Sequence, residues 1–162
     1  MRLKEKIEKD FKEALKRGDS VKIRALKLLK ASLFDFQQRK RYKLSQKENL
    51  TEEELREKSE LEDEEIIEIL FSEIKEREKA ISEFKKGKRE DLIKKEEEEI
   101  KVLKEYLPPQ LSPEEVEKMV RETIEKVGKK EMGLVMKELV PKIKGKAEMG
   151  LVSQIVQKIL KE

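Results

Sequence analysis

The sequence predicts an all-α protein, in which an N-terminal domain of long antiparallel helices is followed by a small C-terminal domain of three helices. Two observations support this prediction. Apolar residues recur at the helical period along most of the 162 residues, whereas the alternation typical of strands occurs nowhere. Charged residues make up 48% of the chain and hydrophobic residues 36%, which suits helices with solvated, ion-paired outer faces.

Two helices are predicted before residue 37. The apolar stripe of the first ends before Gly18, which suits the left-handed position after a helix. Asp19 or Ser20 can then cap the second helix. The first stripe comprises Leu3, Ile7, Phe11, Ala14 and Leu15, and the second comprises Val21, Ala25, Leu28, Leu29, Ser32, Leu33 and Phe36.

Residues 37–62 have almost no apolar periodicity. Thr51 and Glu54 resemble a capping box, but the turn or two of helix that would follow has little to bury. We therefore expect this stretch to form an exposed extension or a mobile loop. Within it, the segment RKRYK at 39–43 places Tyr42 among four cations, a pattern that suits either RNA binding or a solubilising extension.

A long third helix and a fourth helix are predicted on either side of Gly87. We expect Asp63 to cap the third helix, Gly87 to end it, and the fourth helix to begin at about Glu90. The third helix carries Ile67, Leu70, Phe71, Ile74, Ile81 and Phe84 on one side, and the fourth carries Ile93, Ile100, Leu103 and Leu107.

Arg77 lies in a gap of the apolar stripe of the third helix. If Gly87 forms the turn of an antiparallel helix pair, Arg77 lies opposite Glu96 or Glu97, which occupy a gap of the facing stripe. The two opposed gaps predict a structural, partly buried ion pair. The alternative is that these long side chains extend into solvent. Arg24, beside the stripe of the second helix, is expected to pair with an acidic side chain of a neighbouring helix.

The clearest domain boundary is the segment LPPQLSPEE at 107–115. Two consecutive prolines end the fourth helix, because proline lacks a backbone donor and disfavours helix in the residue before it. Ser112 then caps the next helix, with Pro113 at its first position and Glu115 completing a capping box. The predicted domains are residues 1–107 and 113–162, joined by a proline-rich linker at 108–112.

Three short helices are predicted in the C-terminal domain. The first ends at Gly128, the second ends at Pro141, and the third begins near Ala147. Their apolar stripes are Val116, Met119, Val120, Ile124 and Val127; Met132, Val135, Met136 and Leu139; and Leu151, Val152, Ile155, Val156, Ile159 and Leu160. Because this domain has so few residues, we expect it to be either marginally stable by itself or stabilised by packing against the first domain.

The composition excludes several classes of function. Without Cys or His there is no zinc finger, thiol nucleophile, Ser-His-Asp triad or disulfide framework. We interpret the acidic run at 96–99 as a solvated helix face with one structural ion pair, in preference to a site for a divalent cation, and we expect no metal and no cofactor. The charged N-terminus and the absence of long apolar runs predict a cytoplasmic protein without a membrane partner. The many opposite charges suggest a heat-adapted surface.

The segment PKIKGK at 141–146 is a candidate nucleic-acid site. It places Lys142, Lys144 and Lys146 within five residues, just before a helix N-terminus whose dipole and backbone N–H groups favour a phosphate. Three further lysines are candidates to enlarge this patch: Lys129, Lys130 and Lys137. The composition suits phosphate positioning and not base recognition, because no aromatic side chain is near. The alternative is an ordinary basic loop.

Two long segments resemble the bacterial YqeY family. They are EFKKGKREDLIKKEEEEIKVLKEYLPPQLSPEEV at 83–116 and MGLVMKELVPKIKGKAEMGLVSQIVQKIL at 132–160. The resemblance begins near residue 3, with a Lys/Glu-rich departure at about 40–62. The C-terminal domain also resembles the tail of one subunit of the aspartyl/glutamyl-tRNA amidotransferase, a helical module that engages tRNA. The residues that match are Gly133, Val135, Met136, Lys144, Gly145, Lys146, Ala147, Leu151, Val152 and Leu160.

Three hypotheses of function remain open. By its resemblance the chain is a non-catalytic, tRNA- or RNA-binding accessory protein. It is alternatively a component of a glutamine-dependent carbon–nitrogen ligase, active only beside other subunits, or a helical adaptor that binds a protein. Catalysis by the chain alone is not expected, because releasing ammonia from glutamine and activating a carboxylate with ATP need an activated nucleophile and a phosphate-binding loop. The pattern does not determine the oligomeric state.

Overall fold

A computed structural model describes all 162 residues, of which 79% are helical, and it confirms the all-α prediction. There are eight helices and no strand. Their bounds are α1 Leu3–Arg17, α2 Ser20–Lys47, α3 Glu52–Lys58, α4 Asp63–Lys86, α5 Glu90–Lys104, α6 Pro113–Val127, α7 Met132–Ile143 and α8 Met149–Leu160. None of them combines the length and the apolar composition that a membrane span requires. The chain divides into two compact units, Met1–Tyr106 and Leu107–Glu162.

In the first unit, α2 packs against α1, α3, α4 and α5, while α4 and α5 pack along each other. The apolar stripes meet in a core whose fully buried members include Ile7, Leu26, Leu29, Ile66, Leu70 and Leu103. The end of α5 is tied to α1, because the Tyr106 hydroxyl donates a hydrogen bond of 2.6 Å to Asp10. Lys88, between α4 and α5, has φ 53°, in the left-handed region that favours glycine.

The expectation that residues 37–62 form an exposed extension or mobile loop is wrong. Helix α2 continues to Lys47, and α3 follows with the Thr51–Glu54 capping box fully formed. Leu55, Ser59 and Leu61 are buried. The segment is ordered because a few apolar residues at irregular spacing pack against α2. Periodicity within the segment does not reveal this packing.

The expectation that Asp63 caps α4 is wrong. The N-cap is Glu62, which forms a capping box with Glu65. The Asp63 carboxylate instead accepts a hydrogen bond of 3.1 Å from the backbone N–H of Leu3, at the start of α1. The side chain therefore satisfies an unpaired donor of a different helix, which joins the first turns of α1 and α4. The predicted caps Asp19 and Ser112 are confirmed.

The second unit has a core of its own. Buried side chains from α6, α7 and α8 form one cluster: Val116, Val120, Val135, Leu139, Ile143, Ala147, Val152, Val156 and Ile159. The prediction that α7 ends at Pro141 is wrong, because the helix continues to Ile143. A proline in the last turn removes only one backbone hydrogen bond, and Ile143 gains a fully buried position.

Candidate nucleic-acid interface

The segment between α7 and α8 forms a tight turn. Its backbone closes where the N–H of Lys146 donates 2.9 Å to the carbonyl of Ile143, and Gly145 adopts φ 80° at the bend. This positive φ is a conformation that glycine adopts without strain. Ile143 and Ala147 are buried on the two sides of the turn, so that its ends are held in the core of the second unit.

A second segment of the same unit holds this turn from outside. The backbone N–H of Leu111 donates 2.8 Å to the carbonyl of Lys146. The side-chain amide of Gln110 donates 2.9 Å to the carbonyl of Gly145 and 2.7 Å to that of Pro108. The turn is therefore fixed by hydrogen bonds from the proline-rich segment, and not by its own sequence alone.

The structure brings three of the candidate lysines onto this turn and its margin. Lys142 lies in the last turn of α7, Lys144 caps that helix, and Lys146 follows Gly145. All three are exposed, while Ile143, Gly145 and Ala147 between and beside them are buried. Because buried and exposed residues alternate along the turn, the three lysine side chains lie at the surface and not in the core.

The other three candidate lysines lie elsewhere. Lys129 and Lys130 precede α7, and Lys142 lies ten residues after the first residue of this helix, roughly 15 Å along its axis. Lys130 donates 3.0 Å to the carbonyl of Glu162 at the end of the chain. Lys137 is exposed in the middle of α7. The structure therefore spreads the six lysines along α7 and does not gather them into one patch.

The N-terminus of α8 differs from the expected phosphate site. The helix begins at Met149 with Glu148 at its N-cap. One Glu148 oxygen lies 2.8 Å from the position that a Cβ atom on Gly150 would take, so this carboxylate stands over the first turn. A helix N-terminus favours a negative charge, and here the chain supplies one itself. Any phosphate contact must therefore rely on the lysine side chains.

The second basic segment, residues 39–43, is partly neutralised. Lys40 donates 2.8 Å to Glu65 and 2.7 Å to the carbonyl of Glu60, and Arg41 pairs with Glu52. Arg39, Tyr42 and Lys43 remain exposed. Two of the four cations thus hold α3 and α4 to α2, which is a structural role.

Arg77 lies at the centre of a buried charge network. It is 6% exposed, and its guanidinium donates 2.9 Å to the Glu73 carboxylate and 3.2 Å to the Glu73 carbonyl. Its Nε atom is 3.9 Å from Glu96 Oε2 and also 3.9 Å from Glu99 Oε2. Glu97, the other predicted partner, is exposed.

Glu99 is the member of this network that the sequence pattern missed. Its side chain is 1% exposed, and its Oε1 atom lies 3.0 Å from the Nε atom of Arg24. Burial raises the pKa of the Glu99 carboxyl, and the nearby charge of Glu96 raises it further, against the opposing influence of Arg24 and Arg77. The interpretation of residues 96–99 as a solvated face with one structural ion pair did not predict that Glu99 is buried. Its spacing, four residues before Leu103, was the available signal.

These features define a class of protein: a helical, two-unit chain in which a small C-terminal three-helix unit presents a fixed basic turn. The chain belongs to the YqeY family, described as Yqey-like protein, which residues 46–160 match. The match begins at residue 46 and not near residue 3, and it includes most of the segment 40–62.

The chain is also similar in sequence to a protein named as mitochondrial. The chain is 32% identical over 97 residues to "Altered inheritance of mitochondria protein 41, mitochondrial" of Pyrenophora tritici-repentis. The alignment covers 57% of this chain and 54% of the relative, so the chain spans about half the length of that protein.

Proposed function

We propose that this protein is a non-catalytic, RNA-binding accessory protein whose C-terminal unit contacts the phosphate backbone of tRNA. The observation that carries the proposal is the turn between α7 and α8, where Lys142, Lys144 and Lys146 are exposed on a backbone held by Gln110 and Leu111. Membership of the YqeY family and the resemblance to the amidotransferase tail support tRNA as the ligand.

The proposed contact is with phosphates and not with bases. Residues 107–162 contain no Phe, Tyr or Trp, so the unit has no aromatic side chain on which an unpaired base could stack. A fixed turn also limits the entropy that its backbone loses on binding, although the lysine side chains still lose theirs. We therefore expect binding that depends on charge and on the shape of the RNA, with little dependence on sequence.

Binding of tRNA by the full chain tests this proposal. The variant Lys142→Glu/Lys144→Glu/Lys146→Glu should lose most of its affinity. Its control is Lys118→Glu/Lys158→Glu/Lys161→Glu, which makes the same change in net charge at exposed positions of α6, α8 and the residue after α8. The control should retain much more affinity. Equal losses in both variants would mean that only net charge matters, and the basic turn would then be ordinary surface.

A helical adaptor that binds a protein is the second candidate function. Leu28, Phe34 and Tyr42 on α2 are 44%, 61% and 66% exposed, so three large apolar or aromatic side chains of one helix are accessible to a partner. Substitution of these three residues by Ser should abolish binding of a protein partner in cells. Loss of that partner together with retained tRNA binding would separate the two functions.

A further inference from the structure

A cleft in the first unit lies between α2, α4 and α5. Its cavity measures about 310 Å³ and has walls of two kinds. The apolar wall is formed by Leu28, Ala31 and Ala80. The rest of the lining is formed by acidic side chains together with Ser32 and Arg77. Its location and its lining are both distinct from the basic turn of the second unit, so the inference drawn from it does not depend on the proposed function.

The floor of the cleft holds a buried carboxylate with unused hydrogen-bonding capacity. Glu99 is almost fully buried, yet neither of its two oxygens receives a hydrogen bond. Arg24 lies 3.0 Å from one oxygen and Arg77 lies 3.9 Å from the other, but neither pair has the geometry of a hydrogen bond. A buried acceptor without a donor is costly, so this carboxylate favours an additional donor that enters from the cleft.

The charges around the cleft are unbalanced. The five carboxylates that line it belong to Asp35, Glu73, Glu76, Glu96 and Glu99. They are opposed by the guanidinium groups of Arg77 and Arg24, by Lys79, which lies 3.4 Å from Glu76, and by Lys95, whose charge acts on Glu99. Five negative charges against four positive charges leave an excess of one negative charge. A partly apolar cleft with this excess favours a cation.

We propose that this cleft binds a linear aliphatic polyamine. One ammonium group would donate hydrogen bonds to the Glu99 carboxylate at the floor, where the missing donor is needed. The methylene chain would cover Leu28, Ala31 and Ala80, and a second ammonium group would lie at the rim beside Asp35 and Glu76, both of which are exposed.

A polyamine fits this cleft better than a metal ion does. No group of three or more carboxylates has the arrangement that would hold a metal. A bare divalent cation would also leave the apolar wall uncovered, whereas an alkyl chain removes it from water. An ammonium group supplies several donors to separate carboxylates without the close convergence of oxygens that a metal requires.

Titration of the full chain with spermidine at low ionic strength, followed by calorimetry and amide NMR, tests the proposal. We expect saturable binding, with shifts concentrated at Ala31, Ala80 and Glu99. The rim variant Asp35→Asn/Glu76→Gln should bind about five- to tenfold more weakly, because it removes two exposed charge contacts. The control Glu57→Gln/Glu122→Gln removes two exposed carboxylates elsewhere and should bind as the native chain does.

Magnesium chloride, added at the same concentration of positive charge, distinguishes a site from general screening. If Mg²⁺ reproduces the spermidine shifts, or if the rim variant and its control lose affinity equally, the proposal is overturned. Glu99→Gln is a second test at the floor, and we expect it to weaken binding further. If this variant does not fold, the rim variant still decides the question, because its two side chains are exposed and bury nothing.

Discussion

Arg24 and Glu99 form an ion pair between α2 and α5, in which Nε of the half-exposed arginine lies 3.0 Å from Oε1 of the fully buried glutamate. Arg77 approaches the other oxygen from α4, at 3.9 Å. Three helices therefore meet at a single carboxylate. A buried charge of this kind contributes little net stability when paired, but it is costly when a partner is removed.

The first prediction concerns this pair. Arg24→Gln should lower the free energy of unfolding by about 1–3 kcal/mol at pH 7, because Glu99 would keep only its longer contact with Arg77. Glu99→Gln in the same chain should recover much of the loss. A double-mutant cycle from urea unfolding measures the interaction, with Arg17→Gln as the control at an exposed arginine. Additive effects of the two substitutions would mean that Arg24 and Glu99 do not interact energetically.

The second prediction is a pH dependence that originates at Glu99. Burial, assisted by Glu96, raises the pKa of this carboxyl above its ordinary value of 4.5. The native state then binds more protons than the unfolded state above pH 4.5, so the contribution of Glu99 to stability falls as the pH rises through the raised pKa. The variant Glu99→Gln should lack this loss of stability. Between pH 4 and 7, its free energy of unfolding should therefore rise relative to that of the native chain as the pH increases. Parallel pH profiles for the two chains would contradict the prediction.

The third prediction concerns the turn between α4 and α5. Lys88 has φ 53°, and a side chain in this region is strained where glycine is not. Lys88→Gly should therefore raise the free energy of unfolding by about 0.5–1 kcal/mol, after allowing for the greater freedom of glycine in the unfolded chain. Lys85→Gly, inside the last turn of α4, should lower it by a similar amount. Destabilisation by both variants would exclude relief of strain at residue 88.

The fourth prediction is the salt dependence of tRNA binding. Each lysine that contacts a phosphate releases counterions, so affinity should fall steeply as salt rises. Changing Lys142, Lys144 and Lys146 to glutamate should flatten the log–log slope by about two to three units. Variants of Arg39 and Lys43 test the second basic segment in the same measurement. An unchanged slope in the triple variant would remove the basic turn from the interface.

The fifth prediction concerns catalysis. Purified chain supplied with glutamine, ATP, Mg²⁺ and misacylated tRNA should release no ammonia and transfer no amide nitrogen above background. The physical reason is the lack of Cys, His and a glycine-rich phosphate loop in the sequence. Turnover that persists through repeated purification would support the alternative of a carbon–nitrogen ligase component.

The elements with a strong local signal were predictable from sequence. The capping box at Ser112 and the glycines at positions 18 and 128, both with positive φ, mark helix ends through interactions within a few residues. The same kind of signal located the lysine turn, but it did not predict that Ile143 and Ala147 beside the lysines are buried. It did not reveal that Gln110 and Leu111 hold this turn, because those hydrogen bonds join residues 35 apart in the chain.

Local sequence by itself determined the helical class, most helix ends and the position of the basic turn, since these depend on residues less than two turns apart. Tertiary structure alone decided which charges are buried and which caps serve a different helix. Glu99 and Glu97 are two residues apart in one acidic run, yet the first is buried between two arginines and the second is exposed. Asp63 likewise caps α1, sixty residues away. Such roles depend on which helix faces meet, and side-chain burial and electrostatic pairing exist only after those faces have packed.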